Sequence, residues 1–194
     1  MSTEQNKTYQ NFLYPPGGIL LWIIILLELI TFAGVLVAMA YNASIEPEIF
    51  HTSRLQLNVT IGTINTVVLL TSGLFMAAAV HSFKLSDKQK ASNYLLFTIL
   101  LGLTFLVLKS IEYSSKIDAG LTIDTNLFYS YYWMLTVFHV IHVLVGLVIL
   151  VVIYTKIKKS SKPIALLDLE SGAAFWHLCD LIWLLLFPII YLIF

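Results

Sequence analysis

Five long apolar runs alternate with short polar segments along the chain, at about 19–41, 61–83, 94–113, 128–155 and 173–194. A helix needs roughly 20 mostly apolar residues to cross a bilayer, and each run has about that length. Residues 1–18 are polar and end in Pro15-Pro16-Gly17-Gly18, a structure-breaking cluster just ahead of the first run. The pattern predicts an all-α integral membrane protein, a bundle of five transmembrane helices. It has a polar N-terminal tail at 1–18 and a single five-helix membrane domain at 19–194. The first run is longer than the h-region of a signal peptide, about 7–15 residues, so it is expected to stay as a helix.

Composition narrows the function classes. Hydrophobic residues make up 59% of the 194 residues and charged residues 11%. Nearly all the mass belongs in the membrane, which leaves no soluble catalytic domain and no expectation of a nucleic-acid partner. Cys179 is the only cysteine, so intrachain disulfides, CxxC motifs and cysteine-ligated clusters are excluded.

The basic residues are unevenly placed. Lys7, Lys84, Lys88, Lys90, Lys156, Lys158, Lys159 and Lys162 fall in the tail and the 84–93 and 156–172 connections, and only Arg54 and Lys116 in the opposite ones. The positive-inside rule puts the N-terminus in the cytoplasm and the C-terminus outside. Segment 42–60 is then the longest outer connection. Its Asn42-Ala-Ser44, and Asn58-Val-Thr60, match the N-glycosylation pattern, a three-residue match read as chance.

Polar residues inside the apolar runs carry the functional signal. An ionised side chain in a bilayer costs at least a few kcal/mol, so it should face protein or water and have a partner. The first run holds Glu28. The second holds Asn65, which with Ser72 seven residues on suits one packed seam. The third ends with Lys109 and Glu112, three apart and so on one face, either snorkelling to water or buried against a neighbour. The fourth begins with the aromatic Phe128-Tyr-Ser-Tyr-Tyr-Trp133, as at a membrane interface. It continues with Leu135, His139, His142 and Gly146 at spacings of 4, 3 and 4, one stripe. The last holds His177 and Asp180 about a turn apart, with Trp176 and Trp183 on the same side.

At about 1.5 Å per residue, Glu28, His142 and Asp180 fall within one or two turns of the same depth. One buried polar cluster is therefore expected from Glu28, His139, His142, His177 and Asp180, with Asn65, Lys109 and Glu112 as secondary polar sites. Trp176, Trp183 and Gly146 are expected to pack. No catalytic set and no complete metal-ligand set is found. Haem held by two histidines would need them at similar depth on facing helices. His139 and His142 share a helix, and only one of them with His177 comes close.

Five stretches appear in the order of a known family. They are Leu27-Glu28-Leu-Ile-Thr-Phe32-Ala-Gly34, Ile64-Asn65-Thr66-Val-Val-Leu69-Leu70-Thr-Ser72, Leu108-Lys109-Ser-Ile-Glu112-Tyr113, Phe138-His139-Val-Ile-His142-Val143 with Gly146, and Trp176-His177-Leu-Cys-Asp180-Leu-Ile-Trp183. Together they resemble subunit III of the haem–copper oxidases, the family of cytochrome c and quinol oxidases. The chain departs from the mitochondrial pattern in two ways. It has five helices rather than seven, as in bacterial quinol-oxidase versions, which puts the family's lipid-holding cleft in doubt. It also carries Lys109 where the oxidases usually have Gln. That Lys, with Ala119-Gly-Leu-Thr-Ile-Asp-Thr-Asn126, Ser171-Gly-Ala-Ala-Phe-Trp-His177 and Leu186-Phe-Pro-Ile-Ile-Tyr191, looks more like the NorE-type branch associated with bacterial nitric oxide reductase.

The resemblance implies a non-redox accessory subunit in a bacterial inner membrane. It would pack against subunit I of a haem–copper oxidase or nitric oxide reductase, which would hold the haem and metal. This chain would bind no cofactor itself, with phospholipid a possible companion. The family's role is to support proton uptake and to protect the catalytic subunit from inactivation during turnover. Its buried glutamate maps onto Glu28, its histidine pair onto His139 and His142, and its tryptophan–histidine–aspartate group onto Trp176, His177 and Asp180. A small proton or ion transporter and a transient assembly factor are the alternatives. Internal repeats or broken helices would favour the transporter; no repeat is seen, and Pro188 is the one mid-helix breaker.

Overall fold

A computed structural model describes residues 18–159 and 164–193. The tail predicted for 1–18 lies outside these residues apart from Gly18, as do Lys7 and Lys162. Six α-helices follow in order: α1 (Ile19–Ile45), α2 (Pro47–Leu55), α3 (Val59–Lys84), α4 (Lys88–Asp118), α5 (Leu127–Lys159) and α6 (Leu166–Pro188). The chain winds on past Pro188 as a π-helical turn, Ile189–Ile193. Five of the helices, all but α2, are long and apolar enough to cross a membrane. There is no strand among the described residues.

Each spanning helix is longer than the apolar run that predicted it, and side-chain caps hold the polar starts of α3 and α4. Asn58 accepts a hydrogen bond from Ile61 N–H at 3.1 Å and starts α3. Asp87 does the same for Lys90 N–H at 3.0 Å and starts α4. Its carboxyl is held below the ordinary aspartate value by that backbone N–H and by the Lys90 ammonium. Gly120, at a φ of 71°, lets the chain turn left-handed after α4.

Segment 42–60 is not a plain connection. α2 occupies its middle, with Pro47 in its first turn and Phe50 buried. Asn42 donates to Tyr131 Oη at 2.8 Å, so both asparagines of the glycosylation-like matches have structural work to do.

The packing order positions everything else. α1 packs on α5, α5 on α4, and α4 on α3, the last pair by far the longest seam. Small residues make that seam possible. Ser72 of α3 and Thr98 of α4 face each other, and Ser72 Oγ donates to the Thr98 carbonyl at 3.1 Å. α6 runs inside this ring and packs on α1, α3 and α5. It is accordingly the span with the largest buried share.

Trp176 is the clearest case of that burial. A Cβ on Gly102 of α4 would stand 2.7 Å from its ring, and one on Gly146 of α5 would stand 3.0 Å from it. Its indole N–H donates to Ser72 Oγ on α3 at 3.0 Å. One side chain thus ties α6 to three neighbours.

Candidate functional site

The polar residues of the spans fall into separate groups. The first is at the joint of α1 and α5, where Glu28 Oε2 lies 3.1 Å from His142 Nε2. The other ring nitrogen, Nδ1, lies 2.8 Å from the Phe138 carbonyl. A carbonyl only accepts, so Nδ1 carries a hydrogen. Glu28 Oε2 and His142 Nε2 meet at ion-pair distance, without the geometry of a hydrogen bond. Phe138 and Phe32 flank the imidazole edge-on. The side chains of His142 and Glu28 remain 12% and 23% exposed, so the pair opens on the outside of the bundle.

The second group is on α6. His177 Nδ1 and Asp180 Oδ2 are 3.3 Å apart. Asp180 is buried and its Oδ1 has no protein partner, whereas the imidazole is largely open. The carboxylate fits because α3 has a glycine opposite it: a Cβ at Gly73 would collide with Asp180 Oδ2.

The third group is the largest. Lys109 and Glu112 are both buried, so the exposed, snorkelling reading of this pair does not hold. The ammonium lies 3.0 Å from Glu112 Oε2 and donates to Tyr191 Oη at 2.8 Å. The other carboxylate oxygen, Oε1, accepts from Tyr132 Oη at 2.9 Å and from Tyr191 Oη at 2.5 Å. The rings of Tyr113, Tyr132, Trp183 and Tyr191 stand 5.1–5.4 Å from the ammonium, within cation–π range. Both charges are therefore fully partnered inside the bundle, as burial demands. A turn further along α4, Lys116 Nζ donates to the Gln56 carbonyl, and Tyr129 Oη bonds the Gln56 side chain at 3.0 Å. These bonds fasten α2 to α4 and α5.

His139 and Asn65 belong to none of these groups. The imidazole of His139 is wholly buried, stacked on Trp183 with centroids 5.3 Å apart and edge-on to Phe105. Neither of its ring nitrogens has a protein hydrogen-bond partner, and the amide of Asn65 has none either. Next to Asn65, Thr66 accepts from the Trp183 indole N–H at 2.9 Å.

The five residues expected in one cluster thus stand as two pairs and a separate histidine. Glu28 meets His142, and His177 meets Asp180. Among the described residues no hydrogen bond or ion pair joins the two pairs, and no group of three or more His, Cys, Asp or Glu side chains is placed to hold a metal ion. Sequence reasoning missed Tyr132 and Tyr191. The aromatic run at 128–133 reads as an interface, yet Tyr129 and Tyr132 turn inward. The available signal was spacing: Tyr129, Tyr132, Thr136 and His139 recur at 3, 4 and 3, one face of a helix.

The fold defines a multi-pass membrane protein of five helices with charged residues paired inside it. A family model described as cytochrome c oxidase subunit III matches residues 16–193. The chain belongs to that family. It is 35% identical to cytochrome c oxidase subunit 3 of Drosophila yakuba over 129 residues, which is 66% of this chain and 48% of that protein. The corresponding proteins of Rhipicephalus sanguineus and Rattus norvegicus are each 34% identical over 129 residues, again 66% of this chain, covering 49% and 48% of their own lengths. The chain spans about half the length of the curated relatives it matches.

Proposed function

We propose that the chain is a non-redox accessory subunit of a bacterial respiratory haem–copper oxidoreductase. It packs against the catalytic subunit I and supports that subunit's stability and proton uptake. The observation that carries this reading is the Glu28–His142 pair. Glu28 Oε2 and His142 Nε2 lie 3.1 Å apart inside the spanning region, and the pair opens on the outside of the bundle. A pair of ionisable side chains that faces hydrocarbon is costly. Facing a partner chain, it can exchange a proton there. Haem and metal belong to the partner, and phospholipid fills what remains of the surface.

The orientation proposed is N-terminus in the cytoplasm and C-terminus outside. Lys84, Lys88, Lys90, Lys156 and Lys158 gather at one end of the bundle, and Arg54 and Lys116 at the other. The buried Lys109, standing where the oxidases usually have Gln, favours the NorE-type branch. Nitric oxide is then the proposed terminal acceptor, and oxygen the alternative.

The test is a mild-detergent pull-down of the tagged chain from native membranes, with an absorption spectrum and mass spectrometry of what accompanies it. Haem arriving with a large multi-helix subunit supports the reading, and that subunit's identity separates nitric oxide from oxygen. A colourless chain that comes down alone refutes it, and leaves the transporter and the transient assembly factor.

A further inference from the structure

The ring around α6 is open on one side. α1–α5, α5–α4 and α4–α3 are packed pairs, but α1 and α3 share no packed seam. α6 forms the floor of that opening. Its α3 side carries Asp180 against Gly73 and Trp183 against Thr66, and its α5 side carries Gly172 against Ile153 and Phe175 against Gly146. His177, Leu181 and Leu184 fall on the arc that remains, next to α3 and away from α5. They are 44%, 46% and 39% exposed.

His177 is out of place there. Eleven residues separate it from Leu166 and sixteen from Ile193, the ends of the span. At about 1.5 Å per residue it lies well inside a hydrocarbon layer about 30 Å thick. The other ionisable groups well inside the spans are Glu28, Lys109, Glu112, His139, His142 and Asp180. None of them is more than a quarter exposed. The imidazole of His177 has Nδ1 on Asp180, and Nε2 is left for a group that lipid tails do not offer.

We propose that a transmembrane helix of a partner chain lies in the opening between α1 and α3, on α6, with a hydrogen-bonding side chain against His177. This rests on the accessory-subunit reading and adds to it a second face, on the other side of α1 from the Glu28–His142 pair, that meets a partner helix. Helices pack at 8–10 Å between axes, so the unpacked side between α1 and α3 is where one more helix can seat on α6. Polar side chains are the usual glue between membrane helices.

The experiment places a photo-crosslinking residue at Leu181 in the full chain in native membranes, with Val107 on the outer face of α4 (58% exposed) as the comparison. Adducts are mapped by mass spectrometry. The expected result is a Leu181 adduct in a transmembrane segment of another protein, with a polar residue within one turn of the attachment point, and lipid adducts at Val107. In parallel, His177→Leu should cut partner retention in the pull-down roughly tenfold, and His177→Gln should restore it. Among the described residues His177 is the one protein partner of the buried Asp180 side chain, so thermal unfolding of the Leu variant is measured alongside, and the crosslinking arm, which keeps His177, decides the face if that variant is unstable.

Lipid adducts alone at Leu181, with the partner still retained, overturn the proposed face and leave the accessory reading standing. An adduct in a second copy of this chain also overturns it. No partner by either route overturns both. Equal retention in His177→Leu and the parent removes the histidine contact.

Discussion

Replacing Lys109 by Met tests whether the ion pair under Tyr132 and Tyr191 holds the bundle together. The ammonium is 1% exposed and the Glu112 side chain 2%, so water cannot replace a lost partner. Removing one member of such a pair leaves the other buried and uncompensated, which costs about 3–5 kcal/mol. For a chain of this length, about 2–4 °C of melting temperature goes with each kcal/mol. Lys109→Met should therefore melt about 6–20 °C below the parent in the same detergent. Trp183 lies 5.1 Å from the ammonium, so the change in tryptophan fluorescence between variant and parent includes its response to the loss. Glu112→Leu should cost a similar amount. The double variant should cost less than the two singles added together, by about 3 kcal/mol, because a charge can be left unpaired only once. Tyr191→Phe, which removes a hydroxyl bonded to both charges, should cost about 1–3 kcal/mol. A Lys109→Met variant that melts within 2 °C of the parent, or singles that simply add in the double, would refute the account.

Three further outcomes follow from the same geometry. Gly73→Ala should be destabilised by about 1–3 kcal/mol, since its methyl lands on Asp180 Oδ2. Gly34→Ala, with open space around its Cβ position, should lose nothing, and equal melting of the two variants would sink the notch reading. If the Glu28–His142 pair handles protons for a partner, Glu28→Gln should shorten sustained turnover of the purified complex while its haem spectrum is unchanged. Undiminished turnover would remove that role. Asp87 contributes a depressed carboxyl; its small share of stability is present above the unfolded value of about 3.9 and is lost as pH falls through the lower folded value. Asp87→Asn should thus be less stable than the parent near neutral pH, with the gap closing in acid; a gap that widens there contradicts the cap assignment.

The five spans were legible in the chain because an uninterrupted apolar run of that length has few alternatives to a membrane helix, and the observed ends lie within about two turns of the run. That the charged and polar residues inside the runs would need partners was legible for the same reason, since hydrocarbon gives them none, but not which way each faces: His177 is 44% exposed. Nor were their partners legible. His139 and His142 are three apart and read as one stripe, yet that spacing turns the second ring by about 60°. The turn is enough to put His139 on Trp183 and His142 on Glu28 of another helix.

The same limit separates Asp180 from Glu28. Both sit at similar depth, and depth is all that counting residues supplies. Rotation about each helix axis, and the glycine at position 73, send the carboxylate of Asp180 toward α3 instead. The aromatic cage around Lys109 draws on α4, α5, α6 and the π-helical turn at once. The chain by itself determined that there would be five membrane helices and which residues inside them would need partners. Which of those residues meet was decided only by the packing, because helix neighbours and rotations follow from contacts between side chains far apart in the chain.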